Sequence, residues 1–165
     1  LIFANSLHGL DLITFLAGHI IEPKIVAKCN SSPFSWEMSM QGVSDRGVMT
    51  SFSSSWINPI GWALTFNTPV KKYFFSPLET CVLSNENKNK KVLYQDTIDT
   101  QYKPGFYDQA VHFLDVINKK VDVSNHNIET VIPAMELAER LTNECFRQDK
   151  NSISVENNSK HDIFI

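Results

Sequence analysis

Apolar and polar positions change rhythm along the chain. In residues 6–17, Leu7, Leu10, Leu12, Phe15 and Leu16 recur at helical spacing and predict an amphipathic helix. Asn5 or Ser6 is placed to cap its start, and Gly18 to end it in a left-handed conformation. From Glu22 to about Tyr94 the period shortens towards two. Lys24–Lys28, Phe34–Met40, Val48–Phe52, Trp62–Phe66, Val70–Phe75 and Thr80–Leu83 read as strands. Turn signals separate them at residues 30–33, 44–47, 58–59 and 67–69. Such short spacing predicts antiparallel hairpins, because parallel strands need crossovers of about a dozen residues or more.

Helical spacing then returns. Residues 104–119 predict a second helix with Phe106, Ala110, Phe113, Leu114 and Ile117 on its buried face and Pro104 in its first turn. Residues 127–146 predict a third, with Val131, Met135, Ala138, Leu141 and Cys145 inward and Pro133 near its start. Ser84–Lys91 reads as a polar loop and Gln148–Ile165 as a loose polar tail. The expectation is an α+β domain over residues 1–147, with a large open, mainly antiparallel sheet carrying helices on one face, followed by a flexible tail over 148–165.

At 165 residues, 42% hydrophobic and 20% charged, the chain has the composition of one globular domain. A net charge of −3 leaves no broad basic surface, which argues against nucleic-acid binding. No apolar run approaches the roughly 18 residues of a membrane span. Cys29, Cys81 and Cys145 are far apart and contain no CxxC pair. They predict neither a zinc site nor a disulfide framework, and fit a cytoplasmic protein. Asn30-Ser-Ser32 and Asn157-Asn-Ser159 match the glycosylation pattern but read as chance without a secretory signal.

The candidate chemistry lies at the start. His8 and Asp11 are three residues apart, hence on one helix face. A first-turn His meets the positive end of the helix dipole, which favours a neutral ring able to accept a proton. A neutral imidazole beside a carboxylate suits hydroxyl oxidation, in which a base takes the O–H proton while hydride leaves carbon. His19, His112, His126 and His161 form no cluster, and Ser51–Ser55 lacks the context of a nucleophile.

Leu1–Gly18 resembles the segment that opens the C-terminal domain of the Gfo/Idh/MocA oxidoreductases, where an Asp-x-x-x-His-x-x-Asp-x-x-x-x-x-x-Gly pattern occurs. Pro77-Leu-Glu79, Lys103-Pro-Gly-Phe-Tyr107-Asp-Gln-Ala-Val-His-Phe113 and Ile128-Glu-Thr-Val-Ile-Pro-Ala-Met-Glu-Leu-Ala-Glu139 also resemble that family, in the same order. The resemblance covers about residues 1–146. It implies a substrate-binding and oligomerisation domain of an NAD(P)-dependent enzyme acting on a sugar, polyol or sugar nucleotide. It makes His8 the active-site His, Asp11 its neighbouring substrate contact, and Asn5 and Tyr107 substrate-binding positions. It implies a homo-oligomer formed through the open sheet face.

Two features depart from the family pattern. Ala4 stands where an Asp is expected. The Glu-Lys-Pro motif and the Gly-rich dinucleotide turn, which belong to the family's N-terminal domain, are not in these residues. A chain that opens on Leu with its acid/base pair at residue 8 reads as the back half of something larger. NAD(P) is then expected to be held by a nucleotide-binding domain outside these residues, not by this chain alone. The alternative is a binding or assembly domain that has lost the dehydrogenase chemistry.

Overall fold

A computed structural model describes residues 2–28, 36–59, 61–87, 89–121 and 127–159. The chain divides into two compact units, Leu1–Pro59 with His126–Ile165, and Ile60–Asn125. Both are mixtures of helix and antiparallel sheet.

In the first unit a π-helical turn, Ile2–Ser6, runs into α1, Leu7–Ala17. Strands β1 (Ile20–Lys28), β2 (Glu37–Ser44) and β3 (Met49–Ser55) follow and pair in that order, all antiparallel. The register brings Ala27, Met38 and Ser54 together, and likewise Ile25, Met40 and Phe52. This row set faces the helices, and Met38, Met40, Ala27 and Phe52 are buried. The last helix of this unit runs Ile132–Ser159, after a 3-10 turn at Ile128–Val131 that Asn127 caps with its side chain. Its inward stripe is Ala134, Leu137, Ala138, Leu141 and Cys145. With Ile2 and Leu10 these residues form one core against the sheet. Trp36 closes its edge by meeting Phe146 edge-on at 5.8 Å.

The helical faces differ in detail from the expected ones. On α1 the buried side chains include Leu10, Thr14 and Ala17, whereas Phe15 is 72% exposed. On the last helix Met135 lies outward, and Ala134 and Leu137 take the inward positions. Ala138, Leu141 and Cys145 are buried as expected, and Val131 falls in the 3-10 turn ahead of the helix. The same helix extends to Ser159, so helical backbone occupies much of the segment expected to be a loose tail.

The second unit contains β4 (Leu64–Asn67), β5 (Lys71–Phe75), β6 (Cys81–Asn85) and β7 (Lys90–Leu93), an antiparallel meander. Pro77-Leu-Glu79 lies in the β5–β6 turn. Thr97–Gln101 forms a short helix, α2, and Phe106–Ile117 forms α3. We number the Ile132–Ser159 helix α4. The described strands therefore lie in two sheets, three-stranded and four-stranded, and not in the single large sheet expected.

β7 falls in the stretch read as a polar loop. Its four residues, two lysines followed by Val92 and Leu93, show no period-two alternation to mark a strand. α3 also departs from expectation. Its apolar residues Phe106, Phe113, Leu114 and Ile117 are all more than half exposed, and no residue of α3 is buried. Helical periodicity gave the element, but its apolar stripe stays mostly exposed, with Lys103 Nζ over the Phe106 ring at 4.6 Å.

Candidate functional site

α1 carries His8 and Asp11 on adjacent turns of one face, His8 exposed and Asp11 partly so. Asn5 is exposed on the preceding π-helical turn, beside exposed Ala4. Among the described residues neither the His8 imidazole nor the Asp11 carboxylate has a hydrogen-bond or ion-pair partner. The helix under them is firmly held. Thr14 Oγ1 donates to the Asp11 carbonyl at 2.9 Å, and the Gly18 amide donates to the Thr14 carbonyl at 2.9 Å.

The start of this helix differs from the sequence expectation. Ser6 has helical backbone angles (φ −62°, ψ −25°) and makes no capping bond. Its hydroxyl instead pairs with that of Ser54 on β3 at 3.0 Å. Helical backbone therefore runs on from Ile2 through α1, and His8 sits about a turn and a half inside it. The dipole argument for a proton-accepting ring needs unsatisfied amides within the first turn, so it does not hold for His8.

The other end of α1 is as expected. Gly18 takes φ +95°, a region that L side chains rarely adopt. A Cβ there would run into the Asp45 carboxylate and the Arg46 side chain. The β2–β3 turn thus grips the α1–β1 corner. Asp45 Oδ1 accepts the His19 amide at 3.0 Å, and the Asp45 amide donates to the His19 carbonyl at 2.7 Å. Buried Ser44 adds a bond from its hydroxyl to the Ala17 carbonyl. The turn signal at residues 44–47 was legible in the sequence; that it braces the helix bearing His8 was not.

Tyr107 belongs to the second unit, on the first turn of α3, and is 43% exposed. Its ring stacks on Tyr102 with centroids 5.9 Å apart. His8, Asp11 and Asn5 share one helical segment, and Tyr107 stands in a separate unit.

Two shallow concavities lie on the sheets, and none of these four residues lines either one. One, of about 710 Å³, covers the open face of β1–β3 between Ile21, Lys24, Gln41, Val43 and Met49. The other, of about 760 Å³, lies on β4–β7 and is lined by three lysines. Among the described residues no group of three or more His, Cys, Asp or Glu side chains is placed to hold a metal ion.

A dinucleotide needs free amides at a helix N-terminus for its pyrophosphate. Asp96 fills that place on α2 by accepting the amides of Ile98 and Asp99. Asn127 does the same ahead of α4, and α1 is preceded by helical backbone. α3, whose N-cap is Gly105, begins without a side-chain cap.

Cys145 is disulfide-bonded and fully buried, while Cys81 is buried and free. The expectation of no disulfide is corrected. Wide spacing in sequence says nothing about proximity once α4 packs on the sheet. No helix among the described residues is long and apolar enough to cross a membrane. Comparison of the sequence with protein-family models and with curated proteins finds no match.

Proposed function

We propose that this chain is the substrate-binding and self-associating domain of an NAD(P)-dependent oxidoreductase of the Gfo/Idh/MocA type, acting on a sugar, polyol or sugar nucleotide. The observation that supports this reading is the α1 segment itself. His8 and Asp11 share one face of a helix that a positive-φ glycine ends at the spacing of the family pattern. On this reading His8 takes the hydroxyl proton, Asp11 orients the ring and holds substrate, and Asn5 contacts substrate. NAD(P) and the catalytic Lys come from a nucleotide-binding domain outside these residues.

The test is turnover by the protein carrying a nucleotide-binding domain, assayed as NAD(P) reduction over a panel of polyols and sugars. His8→Ala should lower turnover by about 10²–10⁴. Being exposed, His8 should contribute little to stability, on the order of 0.5 kcal/mol. Turnover left intact by His8→Ala in an active protein overturns the assignment.

A second reading, a binding or assembly domain without dehydrogenase chemistry, is favoured by two observations. Ala4 is exposed where the family pattern has a carboxylate, and His8 lies outside both sheet concavities described above. Ala4→Asp separates the readings: a gain in turnover supports a weakened enzyme, and an unchanged null activity supports the binding domain.

A cytoplasmic location belongs to the first reading. The Cys145 disulfide runs against it, since such bonds persist chiefly in oxidising compartments. Trapping thiols at the moment of cell lysis, then mapping Cys145, decides between the two.

A further inference from the structure

The register of the four-stranded sheet lines up Lys72 on β5, Ser84 on β6 and Lys90 on β7 in one row. The row two residues along on the same face is Phe74, Val82 and Val92. One face therefore carries two lysines astride a hydroxyl, next to an apolar floor.

Two braced hairpin turns frame that face at one end. In the β4–β5 turn, the Thr68 amide donates to the Lys71 carbonyl at 2.8 Å, and the Lys71 amide donates to Thr68 Oγ1 at 3.0 Å. In the β6–β7 turn, the Asn85 amide donates to the Asn89 carbonyl at 3.2 Å, and the Asn89 amide donates to Asn85 Oδ1 at 3.0 Å. Together they bound the concavity of about 760 Å³, a volume typical of small-molecule sites.

Its charge runs against that of the chain. Lys71, Lys72 and Lys90 line it with one carboxylate, Glu86, although the chain carries a net −3. None of these lysines forms an ion pair with a described residue; the pairs seen are Lys120–Asp115 and Arg147–Glu144. Strands lie about 4.8 Å apart, so Lys72 and Lys90 stem from points about 10 Å apart across Ser84. Two flexible four-carbon side chains can close on a dianion held at that spacing.

We infer that this concavity binds a small organic phosphate, its head group between Lys72 and Lys90 on the Ser84 hydroxyl and its apolar body over Phe74 and Val82. A strand of nucleic acid fits less well, because the site is bounded by turns and the chain is acidic overall. The plain alternative is that lysines on β7, an edge strand, only prevent strand pairing. That role would draw equally on Lys91, which points to the opposite face beside Leu83.

The test uses the 165-residue chain and phenyl phosphate, followed by ligand-observed NMR at low salt, with inorganic phosphate and benzyl alcohol as comparison probes. Phenyl phosphate should bind saturably and more tightly than either. Lys72→Ala and Lys90→Ala should each weaken it about tenfold, the loss of one charge-assisted contact. Lys91→Ala should leave binding unchanged, and Glu86→Gln should tighten it. All four positions are exposed, so circular dichroism should show the same fold in each variant. Absence of saturable binding overturns the inference. So does equal weakening by Lys91→Ala, which would mean unspecific charge attraction, or equal binding of benzyl alcohol, which would mean apolar contact alone.

Discussion

The Ser44 hydroxyl donates to the Ala17 carbonyl at 2.6 Å, across 27 residues of sequence. The same oxygen accepts the amides of Arg46 at 3.3 Å and Val48 at 3.2 Å. One buried side chain thereby satisfies the end of α1 and the tight turn between β2 and β3 at once. Ser44→Ala should cost about 2–3 kcal/mol, because a buried carbonyl and two turn amides lose their partner together. Urea unfolding checks it: the midpoint should fall while the slope stays constant. A midpoint within error of the parent would show that water replaces the hydroxyl without penalty.

The open face of β1–β3 presents Ile21, Val43 and Met49 in one row, with Met49 87% exposed, and Val26 further along the same face. The proposed self-association would bury this row, and a charge there would have to be desolvated. Val43→Lys and Met49→Lys should therefore shift the chain towards monomer in light scattering while leaving circular dichroism unchanged. A parent chain that is strictly monomeric at micromolar concentration removes this interface.

Cys145 lies in the core stripe of α4 and is disulfide-bonded. Alkylation of the denatured, unreduced protein should modify Cys81 and spare Cys145. Reduction should then lower folding stability by about 2–4 kcal/mol, read as a drop in Tm. Equal alkylation of Cys81 and Cys145 before reduction would mean that the bond does not form in the isolated protein.

Arg147 donates to Glu144 from Nε at 2.9 Å and from Nη2 at 2.6 Å, and Gln148 adds a third donor at 2.8 Å. These hydrogen bonds, that from Arg147 first, hold the Glu144 carboxyl below its ordinary value. The group favours the folded state above the ordinary carboxylate range and loses that contribution as pH falls through its lowered value. Solvent screening keeps the contribution small. In Arg147→Met the Glu144 titration followed by carbon NMR should move up towards that of a free glutamate. An unmoved titration would mean that Gln148 and the helix backbone carry the effect.

Much of this architecture was legible in the sequence because local physics repeats locally. Period-two alternation gave six of the strands, within a few residues at their ends, and helical spacing gave α1, α3 and α4. Gly18 announced the end of α1, since only glycine meets the positive φ and the crowding by Asp45 there. β7 and α2 were not legible. Each is four or five residues long, and β7 is held by its register with β6 more than by its own apolar content.

What needed tertiary structure was phase, proximity and exposure. Packing of α4 adds Ala134 and Leu137 to the expected inward residues Ala138, Leu141 and Cys145 and leaves Met135 exposed. Helical backbone ahead of Leu7 removes His8 from the first turn, which no spacing of His8 and Asp11 could reveal. Long-range pairing brings Ser44 to Ala17, sets Lys72, Ser84 and Lys90 in one row, and places Cys145 in a disulfide. Residue type and spacing thus determined which elements form, because propensity and periodicity act within a few residues. Which faces meet, which side chains stay exposed and which groups gather into a site were decided by the packing of those elements, where the interactions join residues tens of positions apart.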